Sequence, residues 1–245
     1  MPFRRLFFCF FVKTKSMISR VKISILLKYL TIGASLGGVL LSLIYAKADG
    51  YSHWGRRLLY FTAQSNIWLG LTFLGVLLLP FKKKNVEVWT KRLYLLKYIF
   101  TVSITITGLV FCALLAPFAD ENYRPWGLCN LLTHVFSPLF AIADFFIDPH
   151  RTHIGRKEMF LTAIPPLAYF SLASLLSMAH TDFGRGVNYP YFFLDFTSPA
   201  GVFGFASVRP FVGSFYWFTL FSLVLFFFAY LYARLGDKQA SENKN

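Results

Sequence analysis

The sequence predicts an all-α, polytopic integral membrane protein: six transmembrane helices in one bundle, with both termini cytoplasmic. Three observations predict it. The 245-residue chain is 56% hydrophobic and only 15% charged, against about 45–50% and about 25% for an ordinary soluble domain. Six apolar stretches each approach the roughly 20 residues that a helix needs to cross a hydrocarbon core of about 30 Å. Basic residues crowd into alternate loops, as the positive-inside rule requires.

The elements follow in order. Residues 1–23 read as a basic N-terminal arm. Arg4 and Arg5 precede the apolar run Leu6–Val12, the charge order of a signal peptide. The run is too short for one, and no small-residue cleavage site follows it. The arm is therefore expected to lie on the inner leaflet, or to be absent if translation starts at Met17. Residues 24–235 form the transmembrane domain. Its spans are expected at Ser24–Tyr45, Leu58–Pro80, Leu93–Pro117, Trp126–Ile147, Met159–Ala179 and Val212–Tyr232. Residues 236–245 are a polar C-terminal tail.

Charge sets the expected orientation. Eighteen of the 25 basic residues fall in the N-terminal arm and first span, the second-to-third and fourth-to-fifth loops, and the tail. Six fall in the remaining loops, and Lys97 lies within a span. Both termini are thus expected in the cytoplasm of a cell-membrane protein. A net charge of +14 would suggest nucleic acid in a soluble chain. Here the basic residues flank apolar runs, so the expected partners are anionic membrane lipids and not nucleic acid. There is no CxxC, HExxH, GxGxxG or Walker motif, so no metal or other cofactor is expected. Cys112 and Cys129 are expected as two separate buried thiols.

Intramembrane polar groups are costly and tend to face a bundle interior or a wet cavity, so they carry the functional signal. The second span opens with Thr62, Gln64, Ser65 and Asn66. Thr62 and Asn66 are four apart and share a helix face. The fourth span repeats the spacing with Asn130 and His134, the one histidine inside a span. Pro138 removes the helical hydrogen bond to the His134 carbonyl. Interhelical hydrogen bonding is the alternative use of such a cluster.

The other polar positions read as structural. Thr101, Ser103, Thr105 and Thr107 are expected to bond back to their own helix. Lys28 and Lys97 are expected to snorkel to the interface, and Asp144 to pair with a basic loop residue. The outer segment His180–Phe211 is rich in aromatics around Tyr189–Leu194 and Asp195. Two readings stay open for it: a cover folded onto the bundle mouth or an interfacial aromatic belt.

Tyr60-Phe61-Thr62-x-Gln64-Ser65-Asn66, His134, Asp148-Pro149 and Tyr189-Pro190-Tyr191-x-Phe193-Leu194-Asp195 together resemble a family of six-span bacterial membrane proteins, over most of residues 24–235. That family is distantly similar to the eukaryotic androgen-induced and androgen-dependent membrane hydrolases, threonine hydrolases of fatty acid esters of hydroxy fatty acids. The resemblance implies that Thr62 and His134 match the threonine and histidine on which that activity depends.

The resulting expectation is an intramembrane hydrolase of lipid (fatty-acid) esters. Thr62 is the nucleophile and His134 its base, because an unassisted threonine hydroxyl is too weak at neutral pH. Gln64, Asn66 and Asn130 are candidate oxyanion donors or substrate contacts. Asp195 is the one acid placed to orient the imidazole if the outer segment folds inward. The alternatives are a binder or transporter of a small amphipathic molecule, and a structural or accessory membrane protein.

Overall fold

The computed structural model describes residues 2–78, 86–119, 124–184 and 186–242. Lys82, Lys83, Lys84, Arg185 and Lys244, and the side chains of the arm through Ser16, lie outside the described part. Among the described residues, six helical stretches are long and apolar enough to cross a membrane: Met17–Ile44, Phe61–Leu78, Glu87–Leu115, Leu128–Ile147, Arg156–Met178 and Ser214–Asp237.

The first span begins earlier than the sequence suggests. Helix α1 (Pro2–Ile32) runs unbroken through the expected arm–span boundary, since no Gly or Pro interrupts residues 3–32. A π-helical turn (Gly33–Gly37) joins it to α2 (Gly38–Ile44). A short 3₁₀ helix (Trp54–Leu59) precedes α3 (Phe61–Leu78), so the second span opens three residues later than expected. Helix α4 (Val86–Val110) ends in a second π-helical turn (Phe111–Leu115). The fourth span is composite: α5 (Leu128–Asn130), a third π-helical turn (Leu131–Phe136) and α6 (Ser137–Ile147). Then follow α7 (Arg156–Leu161), α8 (Ile164–Met178) and α9 (Ser214–Glu242).

Helix α4 is the hub. It packs on α3, α6 and α9, while α1 packs on α3 and α6. Of the third span's apolar window, 56% is buried, against 17% for the fifth and sixth spans. The last two spans therefore sit at the periphery and leave a lateral space beside α4. One core cluster joins Tyr98 and Val102 of α4 to Phe145 of α6 and Ala229 and Tyr232 of α9. A second joins Leu69 and Phe73 of α3 to Ile104 and Ala141. Ser103, Thr105 and Thr107 donate to carbonyls four residues back, at 3.0, 2.7 and 3.1 Å, as expected of hydroxyls in a packed span; Thr101 departs from the expectation, its buried Oγ1 making no such bond.

The charged residues overturn an expectation. Lys28 and Lys97 do not snorkel, and Asp144 does not pair with a loop. Lys28 Nζ lies 2.9 Å from Asp144 and 2.8 Å from Asp148. Lys97 Nζ lies 2.5 and 2.7 Å from the same two carboxylates. All four residues are buried. Two cations and two anions close a neutral cluster among α1, α4 and α6, so none of these charges has to reach the interface to be satisfied. Burial by itself would raise the Asp148 carboxyl. His150, Lys97 and Lys28 outweigh it and hold that group well below the usual carboxylate range. Nearby, His153 Nδ1 lies 2.9 Å from Asp237 of α9, tying the fourth loop to the last helix.

Cys112 and Cys129 are free thiols, as expected, but Cys112 is exposed and Cys129 half-buried.

Candidate active site

Thr62 is the second residue of α3. Its position is set by the extended backbone at Tyr60, which breaks the 3₁₀ helix and starts a new one. Tyr60 O then accepts from Ala63 N and Gln64 N at 3.1 and 3.2 Å, leaving the Thr62 N–H without a partner in its own helix, as the first turn of any helix does.

His134 lies in the third π-helical turn. Pro138 follows four residues later and supplies no N–H to its carbonyl. Widened π-helical turns of this kind are frequent at functional sites. Small residues bring the neighbouring spans against this turn. A Cβ on Gly38 would lie 2.7 Å from Thr133 Cγ2, and one on Gly108 would lie 2.8 Å from the His134 carbonyl oxygen. The imidazole, 7% exposed, stacks on Phe111 with ring centroids 4.0 Å apart.

The two spans bring Thr62 Oγ1 to 3.1 Å from His134 Nε2. The other ring nitrogen fixes which way the proton runs. His134 Nδ1 lies 3.2 Å from the Asn130 carbonyl and 3.0 Å from Thr133 Oγ1. A carbonyl only accepts. The Thr133 hydroxyl already donates to Cys129 O at 2.8 Å, so it too can only accept from the ring. The hydrogen therefore resides on Nδ1, and Nε2 presents a lone pair to the Thr62 hydroxyl. Such a contact is able to withdraw the hydroxyl proton as the oxygen attacks.

The remaining candidates fall elsewhere. Asn66 Nδ2 uses both hydrogens, donating to Thr62 O at 2.8 Å and Thr133 O at 3.1 Å. Gln64 Nε2 donates to Leu58 O at 3.1 Å, and Asn130 Nδ2 to Arg124 O at 3.1 Å. The amides thus brace backbone, because carbonyls at helix ends and between spans need donors: Asn66 has no hydrogen left for an oxyanion, while Gln64 and Asn130 each spend one of two. Asp195 does not orient the imidazole. Its Oδ1 accepts from Thr197 N at 3.0 Å and Thr197 Oγ1 at 2.7 Å. Asn130 and Asp195 still line the polar cavity described below; Gln64 and Asn66 line neither cavity.

Two residues that spacing did not single out complete the site. Thr133 replaces the missing acid as a ring-orienting acceptor. Tyr191 comes from the outer segment, and its Oη lies 3.4 Å from both Thr62 N and Thr62 Oγ1. Its ring stacks on Phe193 and meets Tyr60 and Tyr169 edge-on. Phe193 and Leu194 pack on Tyr169 and Ala173 of α8, so this part of the outer segment folds onto the bundle instead of forming a belt around it. Desolvation among these rings pushes the Tyr191 phenol up to about 12, keeping its proton at neutral pH. The signal was present in the aromatic run Tyr189–Phe193, but no periodicity says which of its rings turns inward.

Thr62, Leu115 and Tyr191 separate two cavities. One, of 330 Å³, is walled by apolar side chains of α4, α8 and α9, among them Ile106, Leu167, Phe218 and Phe221. The other, of 660 Å³, contains His134 and carries Arg57, Asn130, Asp195 and Arg209. No family model matches the chain, and no curated protein or solved structure matches it either.

Proposed function

We propose that this protein is an intramembrane hydrolase of lipid esters, with Thr62 as nucleophile and His134 as base. The observation that carries the reading is the 3.1 Å contact between Thr62 Oγ1 and the bare Nε2 of His134, set at the junction of an apolar and a polar cavity. The acyl chain occupies the apolar cavity, the ester carbonyl lies over Thr62, and the alcohol portion and water occupy the polar one. We also place both termini in the cytoplasm and the site toward the outer leaflet of the cell membrane, on the distribution of basic residues between loops.

The reaction proceeds in two halves. Thr62 Oγ1 attacks the carbonyl carbon while its proton passes to His134 Nε2, and the carbonyl π pair moves onto oxygen. Collapse breaks the bond to the alcohol oxygen, which takes the proton from His134 and leaves an acyl-threonine. Water then attacks the same carbon, giving its proton to Nε2. The second collapse returns that proton to Thr62 and releases the carboxylic acid. Asn130 O and Thr133 Oγ1 steady the imidazolium in both halves through Nδ1–H.

The test is turnover of long-chain fluorogenic esters by purified protein, together with labelling by a fluorophosphonate. Wild type is expected to turn over the ester and to carry the label on Thr62. Thr62→Ala is expected to lose both. His134→Ala is expected to fall by about 10²–10⁴ in rate, the usual range for a general base. Undiminished turnover in both variants would overturn the reading.

A further inference from the structure

A tetrahedral intermediate at Thr62 carries a full negative charge on the former carbonyl oxygen, and this charge needs donors positioned before the reaction starts. Of the amides that sequence suggests for the role, Asn66 has both hydrogens engaged with carbonyls, Gln64 has one engaged and lines neither cavity, and Asn130 has one engaged with Arg124 O; none has a hydrogen bond to Thr62 Oγ1. What donors remain at the nucleophile is therefore a question of geometry.

We infer that the Tyr191 hydroxyl and the Thr62 backbone N–H form the oxyanion pocket, so that Tyr191 is a further catalytic residue; this rests on the hydrolase reading above. Both groups sit on the nucleophile. Tyr191 Oη is 3.4 Å from Thr62 Oγ1 and 3.4 Å from Thr62 N. The Thr62 hydrogen is directed at His134 Nε2, so in the contact between the two hydroxyls Tyr191 is the donor. When Oγ1 bonds to the carbonyl carbon, the developing oxyanion is attached to that same carbon. A donor already beside Oγ1 turns onto it with a small rotation of the phenol O–H. The Thr62 N–H is released at the same moment from its long contact with Tyr191 and faces the same oxygen.

Three further observations fit this assignment. Tyr191 lines both cavities, so its hydroxyl stands where the ester bond crosses from one to the other. Its ring is held by Phe193, Tyr60 and Tyr169, which fixes the donor before substrate arrives. The Thr62 N–H belongs to the first turn of an 18-residue helix, where the aligned peptide dipoles favour negative charge.

The experiment is Tyr191→Phe, assayed with the same fluorogenic esters. The ring packing is preserved, so the thermal midpoint is expected to stay within 2 °C or so, in line with a substitution that removes no buried apolar surface. Loss of one oxyanion donor is expected to cut kcat about 10²–10³-fold with KM nearly unchanged. Affinity for a trifluoromethyl ketone, which mimics the tetrahedral state, is expected to fall in parallel. A fluorinated tyrosine at 191, isosteric and a stronger donor, is expected to retain or raise kcat. A Tyr191→Phe kcat close to wild type, or a loss confined to KM, would overturn the inference while leaving Thr62 and His134 in place. A silent wild type, unlabelled by the fluorophosphonate, would instead remove the hydrolase reading and this inference with it.

Discussion

The Gly108 α-carbon packs directly against the His134 carbonyl oxygen: a Cβ added at Gly108 would stand 2.8 Å from that oxygen and 3.1 Å from Pro138 Cγ. Span three thus touches the backbone of the π-helical turn that carries the base. The obstacle is main chain, which has no rotamer to give way. Gly108→Ala is expected to push this turn aside, costing about 1–3 kcal/mol of stability, as overpacking does. Hydrolysis is expected to fall more than this stability loss explains, because the Thr62–His134 contact lengthens. Thermal unfolding in detergent and turnover on the folded fraction separate the two effects.

Thr133→Val tests the orientation of the imidazole. It keeps the shape of the side chain and removes one of two acceptors at His134 Nδ1. Asn130 O remains, so the tautomer is retained and the imidazolium loses one partner. A neutral hydrogen bond is worth about 1 kcal/mol, so kcat is expected to fall roughly fivefold, with KM unchanged and Thr62 still labelled by fluorophosphonate. Thr133→Ser, which restores the hydroxyl, is expected to recover the wild-type rate.

Lys97→Met tests the buried charge cluster. It leaves Asp144 and Asp148 with Lys28 as their one cluster cation. Removing one partner of a buried ion pair typically costs about 3–5 kcal/mol. Adding Asp144→Asn restores neutrality and is expected to recover part of the loss. The coupling is read from a double-mutant cycle of thermal stability; additive losses would show that the cluster does not act as a unit.

The same cluster predicts a pH dependence through Asp148. Its folded-state pKa is depressed, with His150, Lys97 and Lys28 overcoming the effect of burial. The unfolded chain therefore binds the proton more readily, and stability rises with pH across that window. The contribution is complete above the ordinary carboxylate value of about 3.9 and is lost as pH falls below it toward the folded value. The stability gap between wild type and Asp148→Asn is expected to be widest near about pH 5, where the Asp148 carboxylate and the His150 whose pKa it raises are both charged; it shrinks as pH rises through the His150 titration and narrows again as pH falls below about 3.9.

Ser222→Phe tests the apolar cavity. Ser222 is in its wall on α9, far along the chain from both Thr62 and His134. The added ring fills space that an acyl chain would use. Turnover of long-chain esters is expected to fall at least about tenfold, the order of effect of a few lost methylene contacts. Acetyl ester turnover is expected to be unaffected.

How far the site was legible can be read from its residues. Thr62 was visible because it opens a cluster of four polar residues within five, and His134 because it is the one histidine inside a span, where ionisable groups are costly. Thr133 and Tyr191 were not. Thr133 looks like any hydroxyl bonding back to its own helix, which it also does. The amides misled because their four-residue spacing from Thr62 and His134 shows a shared face, and a face does not say whether a donor meets a ligand or a carbonyl. Lys28, Lys97 and Asp144 misled for a related reason. A charge near a span end looks free to reach water until the partners on two other helices are known.

The sequence by itself determined that six helices are long and apolar enough to cross a membrane, because hydrocarbon forces a continuous run of apolar side chains and internal satisfaction of the backbone, and both leave local marks. Only the tertiary structure decided what meets what: that a hydroxyl on α3 and a ring on the fourth span lie 3.1 Å apart, that a phenol from a distant loop joins them, and that two lysines and two aspartates neutralise each other. These depend on how helices rotate and approach, which glycine contacts and π-helical turns set, and no single helix records the face its neighbours will present.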